Sequence, residues 1–185
     1  MSLNEIRADK ETLLHFINEI TKDWLKTPVA EMFEIGCLGE NRKPVAQRFT
    51  LAELDDAADM ALRMNAAKLN TYIMINPINP EAVIKAGRGA TDNDIVCAHY
   101  SFADADDPQG LKGLTSLAEK LPPDIHVITG TVPYKRSHAY WKLAEPCYDM
   151  NLWASKQVHI ADQCDTDRSV KNPSRLMRLP GTVSY

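Results

Sequence analysis

The chain has 185 residues, of which 25% are charged and 44% hydrophobic, the make-up of a globular protein with room for one well-cored domain. No run of about 18 apolar residues occurs, which excludes a spanning helix, and the charged, interrupted N-terminus is not a secretory signal, so a cytoplasmic location is expected. Cys37, Cys97, Cys147 and Cys164 are scattered without a Cys-x-x-Cys pair, which argues against a disulfide framework or a zinc ribbon and for ordinary buried or half-buried thiols. The net charge of −4 speaks against a generic nucleic-acid-binding surface, but the charge is unevenly spread. Residues 1–134 carry 13 Lys and Arg against 20 Asp and Glu, whereas residues 135–185 carry 8 against 5, so the C-terminal third is the anion-facing side.

In chain order, Ile6, Leu13, Leu14, Phe16, Ile17, Ile20, Trp24 and Leu25 recur at three- and four-residue spacing and predict an amphipathic helix over residues 4–25. His15 falls beside that stripe and reads as a boundary residue. Strands are predicted at residues 31–38 and 45–49 across a polar turn, then a helix opened by the capping-box pattern Thr50-Leu51-Ala52-Glu53. Residues 71–75 read as a strand stopped by Asn76-Pro77 and Asn79-Pro80. The loop at residues 85–90, with two cations and Gly87-Arg88-Gly89, carries a weak phosphate signal but reads first as a plain surface loop.

The most informative stretch runs over residues 95–107. It is an apolar and aromatic strand that ends by presenting Asp104 and Asp106, which alternation puts on one face roughly 6 to 7 Å apart along the chain. Two such carboxylates repel unless Mg²⁺ or Mn²⁺ bridges them, while Ala103 and Ala105 on the other face can take a covering layer. The alternative is a solvated acidic turn. Pro108 then opens a helix that breaks at Pro122-Pro123, residues 125–129 and 139–143 form a long hairpin with Ser137-His138 at the start of its second strand, and residues 148–160 read as a helix. Tyr140 and Trp141 alternate, so one is expected in the core and the other toward a cleft, where it could stack on a base. The tail from Asp162 is polar and basic and turns at Pro180-Gly181. The fold class expected is α/β (α+β), with a mixed or antiparallel sheet and flanking helices.

Three segments, Phe102-Ala-Asp-Ala-Asp106, Arg136-Ser-His-Ala-Tyr-Trp141 and the run from Asp167 through Pro-Ser-Arg-Leu-Met-Arg-Leu-Pro-Gly-Thr182, come in an order that resembles the archaeo-eukaryotic primase superfamily. The resemblance is strongest to the primase-polymerase domains of plasmid, phage and prophage replication proteins, including RepB-like primases, and spans residues 33–182. It departs in one place: Ser137 and His138 are adjacent here, whereas the family often has one residue between them.

The resemblance implies a catalytic core built like an RNA-recognition motif and template-directed nucleotidyl transfer from nucleoside triphosphates onto a 3′-hydroxyl on single-stranded DNA. Asp104, Asp106 and Asp167 would hold two divalent cations, with Asp165 competing for the third place. His138 would donate to the incoming phosphates, and Ser137, Lys135, Arg136, Arg175 and Arg178 are candidates for triphosphate or template contacts. It also implies a single catalytic domain over residues 1–185 at the N-terminal end of a longer replication protein, with a helicase region or protein as partner. Two rivals stand beside it. A nucleotide-sugar glycosyltransferase also sets Asp-x-Asp after an apolar strand, and a non-catalytic DNA-binding replication initiator could keep the fold.

Overall fold

A computed structural model describes residues 7–27, 30–40, 42–85 and 88–185. Helix α1 (Lys10–Thr21) starts where Asp9 accepts hydrogen bonds from the amides of Glu11 and Thr12, and buries Leu13, Phe16, Ile17 and Ile20 along one stripe. It is shorter than the periodicity suggested: a separate 3₁₀ turn, Trp24–Lys26, continues the apolar stripe and buries Trp24, and the first residues of the expected helix lie outside the described ones.

Strand β1 (Met32–Leu38) is the hub of a four-stranded sheet. It pairs antiparallel with β2 (Val45–Thr50) on one side, Phe33 opposite Phe49, and with β3 (Asn70–Met74) on the other, Ile35 opposite Ile73. Thr50 and Glu53 form the expected capping box, but the backbone first makes a 3₁₀ turn before α2 (Leu54–Ala66) begins. The order β2-β1-β3-β7 is completed by β7 (Leu176–Arg178), a three-residue strand far along the chain that sets Arg178 opposite Tyr72 and Met177 opposite Ile73. Phe33, Ile35, Ile73 and Met177 belong to the core shared with α1 and α2. Alternation therefore sends Glu34, Gly36, Tyr72, Leu176 and Arg178 to the opposite face. Ala90 N donates to Glu34 Oε2 (3.0 Å), which ties the end of the predicted loop at residues 85–90 to β1; Ala86 and Gly87 lie outside the described residues.

The second sheet has the order β4-β6-β5, formed by β4 (Ala98–Ala105), β5 (Ile125–Gly130) and β6 (Arg136–Cys147). Every pairing in both sheets is antiparallel, in keeping with the mixed or antiparallel arrangement expected from the sequence, and the strands divide into two sheets. Helix α3 (Pro108–Lys120), capped by Asp107, and helix α4 (Met150–Cys164), capped by Asp149, pack against it. Ala103, Ala105, Ala139 and Trp141 meet Leu114 and Cys164 in this layer, as expected for the small residues between the acids. The two helices approach so closely that a Cβ on Gly113 would sit 1.9 Å from the carbonyl oxygen of Cys164. On the other face Phe16 of α1 meets Tyr140 edge-on at 5.6 Å, so α1 packs on both sheets.

Both aromatic residues of β6 are buried, against the expectation that one would face a cleft. Tyr140 lies between the sheets and Trp141 under α3, its Nε1 donating to Leu121 O at 2.9 Å. A central strand covered on both faces has no exposed side. The four cysteines are free, with Cys37, Cys97 and Cys164 buried and Cys147 half-buried.

Candidate active site

The site begins with strand register. Asp104 stands opposite His138, and Phe102 opposite Tyr140, so Asp104, His138 and Tyr140 share one face of the three-stranded sheet. His138 Nδ1 is 3.1 Å from the Tyr140 hydroxyl and its Nε2 is 3.2 Å from Asp104 Oδ1. Burial, with the charge of Asp104 adding to it, pushes the Tyr140 hydroxyl well above its ordinary range, so it stays a phenol that can donate to Nδ1 and leave a proton on Nε2. The Nε2 contact is off the direction of a hydrogen bond: Asp104 Oδ1 is buried with no hydrogen-bond donor.

The two acids at the strand end differ. Burial opposes ionisation of Asp104, but the His138 imidazole and the Arg175 guanidinium outweigh it and hold the carboxyl below the usual range. Asp106 is raised, by burial and then by the negative charge of Asp104. A divalent cation between them would relieve the repulsion that raises Asp106.

Two cavities meet at this pair. One, of about 320 Å³, is acidic and is lined by Asp104, Asp106, Asp107, Asp165, Asp167 and Arg175 among others. The other, of about 260 Å³, is basic and is lined by Arg136, His138, Arg175 and Arg178 with Tyr72 and Thr129. Asp104, Asp106 and Arg175 belong to both walls. A larger groove of about 520 Å³ adjoins the basic cavity, sharing Thr129 and Arg178 with it.

The predicted residues sort unevenly. Asp104, Asp106, His138, Arg136, Arg175 and Arg178 line the basic cavity. Asp167 and Asp165 both line the acidic one, each with a local partner. Asp167 accepts from Ser169 N (2.7 Å) and Ser169 Oγ, which holds its carboxyl low, and Asp165 accepts from Gln109 Nε2 (2.8 Å) at the left-handed end of α4. Among the described residues no three His, Cys, Asp or Glu side chains are drawn together closely enough to hold a metal ion. The pair with its orphaned oxygen suits a divalent cation; a third protein carboxylate does not stand beside it.

Two candidates miss the cleft. Ser137 is fully buried and, as His138's neighbour on a strand, points to the α3 face; Lys135 is exposed at the hairpin turn and lines neither cavity. Tyr72 was not anticipated. It lies on a strand whose partner, β7, comes about a hundred residues later, and it carries the Arg178 guanidinium 5.0 Å from its ring centroid.

No protein-family model matches the chain, and no curated protein matches it. Solved structures do. The AEP domain of the cyanophage S-2L primase-polymerase matches with a TM-score of 0.62 and 21% identity, over 94% of this chain and 83% of that one. The catalytic domain of primase RepB′, in complex with initiator DNA, matches with a TM-score of 0.59 and 21% identity, over 95% and 78%. A second primase RepB′ structure matches with a TM-score of 0.56 and 20% identity, over 94% of this chain but 51% of its own length. The chain thus has the fold of the primase-polymerases; at this identity the likeness speaks for the fold, and the chemistry has to come from the side chains.

Proposed function

We propose that the chain is a DNA primase or polymerase catalytic domain that transfers nucleotides from (d)NTPs to a 3′-hydroxyl on a single-stranded DNA template. The observation that carries this reading is the shared wall: Asp104, Asp106 and Arg175 separate an acidic cavity from a basic one. Nucleotidyl transfer needs that juxtaposition of a place for cations and a place for a polyphosphate, and asks little more than positioning and charge. The fold shared with the two primases, one from a cyanophage and one seen in complex with initiator DNA, supports the DNA template, and the resemblance of the sequence motifs adds the setting in plasmid or phage replication.

Asp104 and Asp106 would hold Mg²⁺ or Mn²⁺, which supplies activation of the attacking hydroxyl and charge for the leaving pyrophosphate. Asp167, with Asp165 as its rival, lines the same acidic cavity and would be the third carboxylate. Arg136, Arg175 and Arg178 bind and orient the phosphates, since a guanidinium meets two phosphate oxygens at once. His138, its Nδ1 held by Tyr140, directs its Nε2 proton into the same cavity. The glycosyltransferase reading of the Asp pair would also use arginines for its diphosphate, but it leaves the fold shared with the primases and the His138 hairpin unexplained.

The test is incorporation of labelled dNTPs and NTPs on single-stranded DNA, primed and unprimed, with Mn²⁺. Asp104→Ala is expected to reduce incorporation to background; a variant as active as wild type would remove the Asp pair from the chemistry. A Mn²⁺-dependent rise in thermal stability of wild type, lost in Asp104→Ala, is the companion measurement that separates this reading from a non-catalytic DNA-binding module.

A further inference from the structure

We infer that Asn70 is a positioning residue of the nucleotide cleft: its side-chain oxygen fixes Arg178, and the main chain of Tyr185 fixes Asn70. The inference rests on the nucleotidyl-transfer reading above. Arg178 is the arginine at the junction of the basic cavity and the larger groove, lining both. Its Nη1 donates to Asn70 Oδ1 (3.1 Å), its Nη2 to the Tyr72 hydroxyl (3.1 Å), and its flat face rests on the Tyr72 ring. A guanidinium has five N–H groups, so these contacts set its direction and leave donors for a ligand.

Asn70 is itself held from the far side. Tyr185 N donates to Asn70 Oδ1 (2.9 Å) and Asn70 Nδ2 donates to Tyr185 O (3.0 Å), a two-bond clasp on the tail. Oδ1 therefore takes two hydrogen bonds, one from the tail and one from the arginine. The clasp also dictates the orientation of the amide, because a flipped Asn70 would set its NH₂ against the guanidinium and against Tyr185 N. The tail reaches this position by a turn at Gly181, whose carbonyl accepts from Asp9 N at 2.7 Å. There φ is +78° and a Cβ would lie 2.5 Å from Asp9 O. The result is an arginine whose rotamer freedom is lost on folding and not on nucleotide binding.

The fold supplies its own control. Asn65 clasps the same tail in the same way, Nδ2 to Val183 O and Val183 N to Oδ1, each 2.8 Å, and its remaining hydrogen bond goes to Leu69 O and not to the cleft. If Asn70 worked only by securing the tail, Asn65 would serve equally.

The experiment is calorimetric titration of dATP with Mn²⁺ into wild type, Asn70→Ala, Asn70→Asp, Asn65→Ala, Arg178→Ala and the Asn70→Ala/Arg178→Ala double variant, each first checked by thermal unfolding. Loss of one hydrogen bond to a charged group predicts roughly tenfold weaker binding by Asn70→Ala. Asn65→Ala should stay within about twofold of wild type, and the double variant should bind no more weakly than Arg178→Ala alone, the non-additivity expected of a residue acting through its neighbour. Asn70→Asp keeps an acceptor for Arg178 and for Tyr185 N and should recover most of the loss even though the bond donated to Tyr185 O is gone. Equal losses in Asn65→Ala and Asn70→Ala, full additivity in the double variant, or no recovery by Asn70→Asp would each overturn the inference. A wild type that binds no dATP would bring down the nucleotide reading first, and this inference with it.

Discussion

On the three-stranded sheet, Asp104, His138 and Tyr140 are placed by register alone: two long neighbouring strands, paired over most of their length and covered on both faces, leave those side chains no alternative direction. On the four-stranded sheet, Arg178 sits on a strand of three residues and is held by side-chain hydrogen bonds to Asn70 and Tyr72. Asp104 is thus built into a rigid wall, with Asp106 just past its end, and the arginine is tethered to a lighter one. Asp104 takes its direction from the main chain, whereas the arginine takes its direction from hydrogen bonds of its own side chain; the two walls reach a fixed geometry by different means.

The sharpest way to break the rigid wall is from behind. Gly113→Ala would drive a Cβ into the Cys164 carbonyl and pry α3 from α4, at a cost of about 3 kcal/mol or more, read as a lower urea midpoint. Within the wall, Tyr140→Phe removes the hydroxyl beside His138 Nδ1, its one hydrogen-bond partner among the described residues, so incorporation should fall about tenfold with little change in secondary structure. An incorporation rate equal to wild type would show that His138 needs no fixing.

The smallest effect concerns the joint between the halves. Asp23, just before the Trp24 turn, pairs with Lys142 of β6 and with Lys26 (2.6 Å), and these bonds, that to Lys142 foremost, lower its carboxyl to about 2. Because the folded value lies below the unfolded one, the stabilisation is present above about pH 4 and disappears as pH falls toward 2. Asp23→Asn should therefore cost on the order of 1 kcal/mol at pH 6, after allowing for the exposed lysines, and nothing near pH 2. Equal denaturation midpoints for the two proteins at both pH values would dissolve the joint.

How far the sequence could be read follows the same division. Asp104 and Asp106 were legible because an apolar strand and its terminal acids are contiguous, and the Thr50–Glu53 capping box because its partners are three residues apart. Strand β7 was not: Leu176-Met177-Arg178 becomes a strand only by pairing with β3, across about a hundred residues. Asn70 and Tyr72 gain their meaning from that same pairing. Ser137 departs from the cleft because it is adjacent to His138 on β6, and a strand points adjacent residues in opposite directions, where a Ser-x-His spacing would have set both on one face. The choice between Asp165 and Asp167 turns on loop geometry that no periodicity encodes.

The free thiols give these two constructions separate clocks. Burial pushes Cys37 and Cys164 up to about 11, so in the folded protein they are protonated and shielded from alkylating reagents. Cys37 lies on β1 and Cys164 at the end of α4, beside Ala105 and Leu114. The rate at which each becomes reactive measures how often its own half opens. Residue-resolved alkylation would then read the lighter wall and the rigid one in a single tube, without adding a label to either.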